Sequence, residues 1–321
     1  MLAEPTYDDV LAARERIAPY LSRTALRSYP ALSRHVGVDV VVKHENHLPT
    51  GAFKVRGGLN LIGALAHALA DTGVIAASTG NHGQSVALAA RVHGVRAIVC
   101  MPESPNPAKL EAIRDLGAEV VLAGSDFDDA RERCEALAQQ HGYRYVHSGD
   151  EPLLIAGVAT GHLEICEDDP AVDTVIVPVG GGSGAAGACI VAESAARELR
   201  VIGVQAAEAP AGYRSWRERR SIADACTTMA EGLATRTPFE LPQRILRRRL
   251  DDFVLVTEDE LAAATLLMID KTRNLVEPAG AAALAAALKL SDELRGRRVA
   301  LIASGGNITL SQLASLIETQ R

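Results

Sequence analysis

What most constrains this chain is the regular alternation of short Val- and Ile-rich runs with stretches whose apolar residues recur at helical spacing. The runs are VRAIVCMP (95–102), EVVLAG (119–124), YRYVHS (143–148), DTVIVPVG (173–180), RVIGVQAA (200–207), DDFVLVT (251–257) and RRVALIASGG (297–306). Between most of them lie patterns such as Leu110, Ile113, Leu116 or Leu261, Ala264, Met268, which recur every three or four residues as one face of a helix does. Such alternation predicts the α/β class, with parallel sheets covered by helices on both faces. Pro107 after Asn106 predicts a helix start and Gly117 its stop. With 321 residues, 48% of them hydrophobic, the chain has core enough for one large or two modest domains, and it shows no repeat, low-complexity segment or long linker.

Composition excludes several classes of function. No apolar run approaches the roughly 18 residues a membrane span needs. The N-terminus, MLAEPTYDD, carries acids where a secretion signal carries positive charge. A cytoplasmic protein without a membrane partner is therefore expected. A net charge of −7 argues against nucleic acid as a partner, and RERR (217–220) and RILRRRL (244–250) read as solvated faces. The five cysteines, at 100, 134, 166, 189 and 226, form no CxxC pair, so they read as small buried hydrophobes rather than a disulfide framework or zinc site.

Three strand ends carry small, polar or glycine-rich turns. After VIVPV come Gly180, Gly181, Gly182, Ser183 and Gly184, and then a helical pattern. Glycine there serves a tight turn, and it also bares backbone N–H groups that a phosphate can take at a helix start. Neither GxGxxG nor GxxxxGK[ST] occurs, so a dinucleotide or nucleoside-triphosphate site is not supported. Ser78, Thr79, Gly80, Asn81 and His82 follow the apolar run VIAA and open another helix. They read either as an ordinary helix cap or as a carboxylate cradle. Ser304, Gly305, Gly306 and Asn307 follow the last strand. In open parallel sheets such strand ends are where ligands bind.

Against that background Lys54, in PTGAFKVRGG (49–58), is more than a surface charge. A lysine that forms an imine needs a nearby anion anchor for its partner and surroundings that lower its pKa. The chain supplies both an anchor and a neighbouring Arg56.

Lys43, Glu45, PTGAFKVRG, STGNHGQS, VPVGGGSGAAG, AEGLA (230–234), EPAGAAALAA (277–286) and SGGN, in this order, resemble the serine/threonine dehydratase family of fold type II pyridoxal-phosphate enzymes, from about residue 7 to residue 318. The resemblance implies a tryptophan synthase β-like fold of two parallel-sheet α/β domains with pyridoxal 5'-phosphate in the cleft between them. The large domain would comprise 1–72 and 150–321 and the small one 73–149. It also implies roles. Lys54 would be the Schiff-base lysine, with Phe53 against the pyridine ring and Asn81 on the ring hydroxyl. Gly180, Gly181, Gly182, Ser183 and Gly184 would surround the phosphate, Ser304 would face the pyridine nitrogen, and Glu277 would sit beside the cofactor. Ser78, Thr79, Gly80, Asn81 and His82 would take the substrate carboxylate. The implied reaction is loss of water from a β-hydroxy amino acid, with Lys54 taking the α-proton and the cofactor phosphate aiding departure of the hydroxyl, giving a 2-oxo acid and ammonia. A neutral Ser304 makes the ring a weaker electron sink than an aspartate would, which suits prompt elimination.

The family implies a homodimer and an amino-acid substrate, threonine or serine. It also includes hydroxyectoine-utilization dehydratases, threo-3-hydroxyaspartate dehydratases and serine racemases. Serine racemases carry a serine where this chain has Thr79, which points to elimination rather than racemization. The chain departs from the family in Ser183 and Gly184, where a fourth glycine and an apolar residue are usual, and in Arg214, where cation-binding members place a second acid after Glu208. No tightly held metal is expected, nor is a C-terminal regulatory domain. The contrasting class is a pyridoxal-phosphate-carrying regulatory protein with little turnover, which retention of Lys54, Asn81 and Ser304 together disfavours.

Overall fold

The computed structural model describes residues 2–125, 127–195 and 198–319. In chain order the first elements are α1 (Tyr7–Ile17), β1 (Leu26–Ser28), α2 (Pro30–Val36), β2 (Asp39–Lys43), α3 (Lys54–Leu69), β3 (Val74–Ala77) and α4 (Asn81–His93). There follow β4 (Ala97–Met101), α5 (Pro107–Asp115), β5 (Glu119–Leu122), α6 (Phe127–His141), β6 (Arg144–Tyr145), α7 (Pro152–Asp168), β7 (Thr174–Pro178) and α8 (Ser183–Ser194). The last are β8 (Arg200–Ala206), α9 (Ala211–Arg217), α10 (Glu240–Arg249), β9 (Asp252–Val256), α11 (Glu258–Thr272), α12 (Pro278–Lys289), β10 (Arg298–Ile302) and α13 (Leu310–Thr319). Side-chain chemistry sets several of these boundaries. Thr6 with Asp9 and Thr257 with Glu260 form reciprocal capping boxes at α1 and α11, and Asn106 caps α5 through Ala108 N at 3.0 Å. Beyond α5, Gly117 takes φ +88°, the left-handed turn expected of a stop.

The chain divides into two compact units, residues 1–22 with 53–160 and residues 23–52 with 161–321. The first holds a four-stranded parallel sheet, β5-β4-β3-β6. The span 73–149 expected as a small domain contains this whole sheet, and the compact unit adds α1, α3 and the first half of α7. Every residue of β3 and β4 is buried, whereas edge strands β5 and β6 are not, as expected when helices cover both faces. Cys100 and Cys134 lie in the core of this sheet with Ile75, Ile98 and Leu137.

The second unit holds a six-stranded sheet, β1-β2-β10-β7-β8-β9, parallel except for β1. Leu301 of β10 pairs with both Val42 and Ile176, which puts the end of β10 in the middle of the sheet. Helix α12 is buried from Pro278 to Ala287, and its run of alanines lets it pack closely on the strands. Strands β1 and β2 have no counterpart among the runs read from sequence, although DVVVK carries the β-branched signal. The 143–148 run shortens to the two residues of β6. Three cysteines are buried as expected, while Cys166 and Cys226 are only partly so.

Candidate active site

In the first unit, Lys54 opens α3, directly after Phe53 in the cap position. The two glycines that follow decide how closely other helices approach. A Cβ on Gly57 would stand 2.7 Å from Leu154 Cγ of α7, and one on Gly58 would stand 2.7 Å from the Ser85 carbonyl oxygen of α4. Without those carbons α4 and α7 close onto the first turn of α3, and Ser85 Oγ donates to the Lys54 carbonyl at 2.6 Å. The lysine backbone is thus held by packing rather than by a flexible loop. Its amine donates to the Ser148 carbonyl at 3.3 Å and lies 5.2 Å from the centroid of the Phe53 ring. The residue keeps some exposed surface, but desolvation of the amine lowers its pKa from 10.5 to about 8. A substantial neutral fraction at physiological pH follows, which is what a nucleophilic lysine requires.

The loop after β3 leads into α4 in the same unit. Ser78 Oγ accepts from Gly80 N at 3.0 Å and Gly83 N at 2.8 Å, so the helix-cap reading holds for its oxygen lone pairs. Its hydroxyl proton can still be donated to an anion. Gly80 rests on the stem of Lys109, where an added Cβ would come within 2.7 Å of Cδ. Thr79 is exposed, and Asn81 is the first residue of α4. The ring of His82 turns into the core, its Nε2 at 3.0 Å from the Val146 carbonyl, and Nδ1 has no partner among the described residues. Burial first, then the charge of Lys54, lowers its pKa to about 3, so this imidazole is neutral. In the loop it offers backbone rather than a charge.

In the second unit, β7 runs through Gly180 and Gly181 into α8, with Gly182 at φ +90° in the cap position. That conformation suits glycine, and no side chain caps the first turn. Ser183, in place of the usual fourth glycine, is 1% exposed and begins the helix without displacing it. Four separated segments converge here. A Cβ on Gly180 would overlap the Gly232 carbonyl oxygen, and one on Gly232 would stand 2.8 Å from Ala279 Cβ. Glu277 N donates to the Gly305 carbonyl at 3.1 Å, the Glu277 carboxylate lies against Gly305, and Ser304 Oγ donates to the Ala279 carbonyl at 3.3 Å. The structure therefore brings Gly180, Glu277 and Ser304 together. It also assigns the AEGLA turn, whose part was not legible in sequence, as the wedge between them. Phe239, which sequence reading passed over, packs its ring against Gly181. An isolated aromatic 55 residues from the glycines carries no signal that could have found it.

These donors fit pyridoxal phosphate. An uncapped helix start suits its phosphate dianion, and a buried amine of lowered pKa suits its aldehyde. Among the described residues no group of three or more His, Cys, Asp or Glu could hold a metal ion. Arg214 hydrogen-bonds Asp224 and lies 3.7 Å from Glu218.

Two units built on mainly parallel sheets, a lysine of lowered pKa and a glycine-rich turn at a helix start belong to a cofactor-dependent α/β enzyme of fold type II. The model of the pyridoxal-phosphate dependent enzymes matches residues 17–305, and the chain belongs to that family. It is 37% identical to the L-threonine ammonia-lyase of Thermotoga maritima, over 97% of this chain and 78% of that protein. To the catabolic L-threonine dehydratase of Escherichia coli K12 it is 36% identical, over 96% and 95% of the two chains. Among solved structures, a T.th. threonine deaminase superposes with a TM-score of 0.89 at 37% identity, covering 95% of this chain and 99% of that one. Serine racemase from Dictyostelium discoideum gives 0.90 at 33%, covering 96% and 100%.

Proposed function

We propose that the protein is a pyridoxal-phosphate-dependent ammonia-lyase that removes water from L-threonine or L-serine, releasing a 2-oxo acid and ammonia. The observation that carries this reading is the buried Lys54 amine, brought by desolvation to a pKa of about 8, in a chain whose nearly full-length relatives include threonine ammonia-lyases. When bound, pyridoxal phosphate supplies an electron sink that weakens the bonds at the substrate Cα. Residues of the chain do the rest. Lys54 would hold the cofactor, and its lowered pKa suits its amine to take the substrate α-proton. Backbone N–H groups of Gly180 to Gly184 and the dipole of α8 hold the phosphate. Ser304 would offer the cofactor a neutral hydroxyl, and Phe53 an aromatic face. Ser78, Thr79, Gly80, Asn81 and the backbone of His82 receive the substrate carboxylate, with Asn81 also reaching the ring hydroxyl. Glu277 sits beside the cofactor.

The same reading makes residues 73–149 the small domain of a cytoplasmic homodimer. The net charge is −7, and among the described residues no helix is long and apolar enough to cross a membrane. Incubation of the purified enzyme with a panel of β-hydroxy amino acids, measuring ammonia and 2-oxo acid, tests the function. Turnover of L-threonine or L-serine is the expected result. Reaction only with hydroxyectoine-derived or 3-hydroxyaspartate substrates replaces it with those dehydratases. D-serine accumulating faster than pyruvate makes the enzyme a racemase, a reading that likeness to the Dictyostelium serine racemase keeps in view.

A further inference from the structure

The turn between β6 and α7 is organised by an imidazole. His147 Nδ1 accepts from Gly149 N at 3.2 Å and from Asp150 N at 2.8 Å. A ring nitrogen receiving two N–H groups must present its lone pair, so the proton of the neutral ring is on Nε2. The far end of the turn is pinned by Glu151, whose N–H donates to the Gly149 carbonyl at 2.8 Å and whose carboxylate pairs with Arg144 at 2.8 Å. Between these two fixed ends stands Ser148, and its carbonyl accepts from the Lys54 amine at 3.3 Å.

We propose that His147 is a positioning residue: its ring fixes the turn whose Ser148 carbonyl holds the Lys54 amine in line for reaction. The inference rests on the lyase reading in that Lys54 is taken as the reacting amine. His147 touches neither substrate nor cofactor in this role and acts through the backbone. Loss of one such anchor lets a side chain of four rotatable bonds wander, and reactions that depend on alignment are sensitive to displacements of an ångström. Protonation of the ring removes the acceptor that both amides use. The groups facing it are Asp150, whose carboxylate is 3.9 Å away, Arg131 of α6, Lys54 of α3, the neutral His82 of α4 and the edge of Tyr145. Burial, Arg131 and Lys54 disfavour the imidazolium while Asp150 favours it, and the balance lowers the pKa from its ordinary value. The turn is therefore intact at neutral pH and released on acidification.

The test compares His147→Ala with His147→Asn, whose side-chain oxygen can accept the same two amides in an Asx-type turn and does not titrate. Hydrogen exchange on the full-length holoenzyme should show the Gly149 and Asp150 amides exchanging about tenfold faster in the alanine variant and recovering in the asparagine variant. With L-threonine, the alanine variant should lose about tenfold in kcat with little change in KM, and asparagine should restore most of it. In the parent the fall of kcat toward low pH should have two parts, one set by protonation of Lys54 and a more acidic one set by His147; the more acidic part should disappear in His147→Asn. Equal protection in all three proteins, or an asparagine variant as impaired as the alanine one, overturns the proposal. So does a more acidic part unchanged by asparagine. If the parent turns over no β-hydroxy amino acid, the lyase reading fails by itself. The anchor is then judged from acetylation of Lys54 in cofactor-free protein, whose rate must change severalfold in His147→Ala and return in His147→Asn.

Discussion

Removing the cofactor and titrating the freed Lys54 amine tests the chemistry of the site most directly. Desolvation lowers this amine from 10.5 to about 8. That difference corresponds to a factor of roughly 300 in the protonation equilibrium, so at pH 8 about half of Lys54 is neutral, against about 0.3% of an unburied lysine. The neutral amine is therefore enriched roughly 150-fold. Trace acetylation of cofactor-free protein from about pH 6 to about pH 11, followed by mass spectrometry of the Lys54 peptide against an unstructured reference peptide, reads the midpoint. A linked consequence concerns stability. Because the native pKa lies below the unfolded one, the unfolded chain binds more protons between about pH 8 and pH 10.5, so in that window the Lys54 contribution to stability rises with pH; below about pH 8 the full penalty of a buried ammonium applies. A Lys54 midpoint indistinguishable from the reference peptide refutes the argument that burial activates this lysine.

Other expectations follow from packing and charge. Gly58→Val forces a side chain against Ser85 of α4, should cost about 1–3 kcal/mol in thermal unfolding, and should lower kcat because the Ser85 bond to the Lys54 carbonyl shifts with it. Gly182→Ala places a Cβ at φ +90°, should cost about 1–2 kcal/mol, and should weaken cofactor retention measured by equilibrium dialysis. Glu164→Leu leaves the fully buried Lys43, now bonded to it at 2.6 Å, without its main partner; a loss of about 3–5 kcal/mol in denaturant unfolding is expected. With Arg214, six residues after Glu208, engaged by Asp224, chelator treatment should leave activity and melting temperature unchanged, and a magnesium-reversible loss would contradict this reading of the loop.

Much of the fold was legible because its signals are local. The buried strands β4, β7, β8 and β10 announce themselves as Val- and Ile-rich runs, since both faces of a helix-covered parallel sheet need apolar side chains. The start of α5 was legible in Asn106 and Pro107 for the same reason: a cap is written in adjacent residues. The short strands β1 and β6 were harder. Two or three residues, as in β6 and β1, give too short a pattern to separate from loop, and β1 pairs antiparallel at the sheet edge; β2 is as long as β4, carries its signal in DVVVK and was passed over. Lys54 stood out only because a recognisable order of motifs surrounds it. Its lowered pKa depends on what packs around the amine, which no spacing of residues encodes.

By itself, the sequence determined the α/β class and the three polar turns at strand ends, because periodicity, glycine and capping chemistry act over a few neighbouring residues, and the order of its motifs singled out Lys54. Only the tertiary structure decided which separated segments meet. Gly232 wedges between Gly180 and Ala279, Glu277 lies against Gly305, and Gly57 and Gly58 admit α7 and α4 to the first turn of α3. It alone turned the His82 ring to Val146 and gave His147 the two amides that shape the turn holding Lys54. The physical reason is that desolvation, close backbone approach and hydrogen-bond partnership between distant residues are properties of three-dimensional packing, created only when the sheets and helices have closed around them.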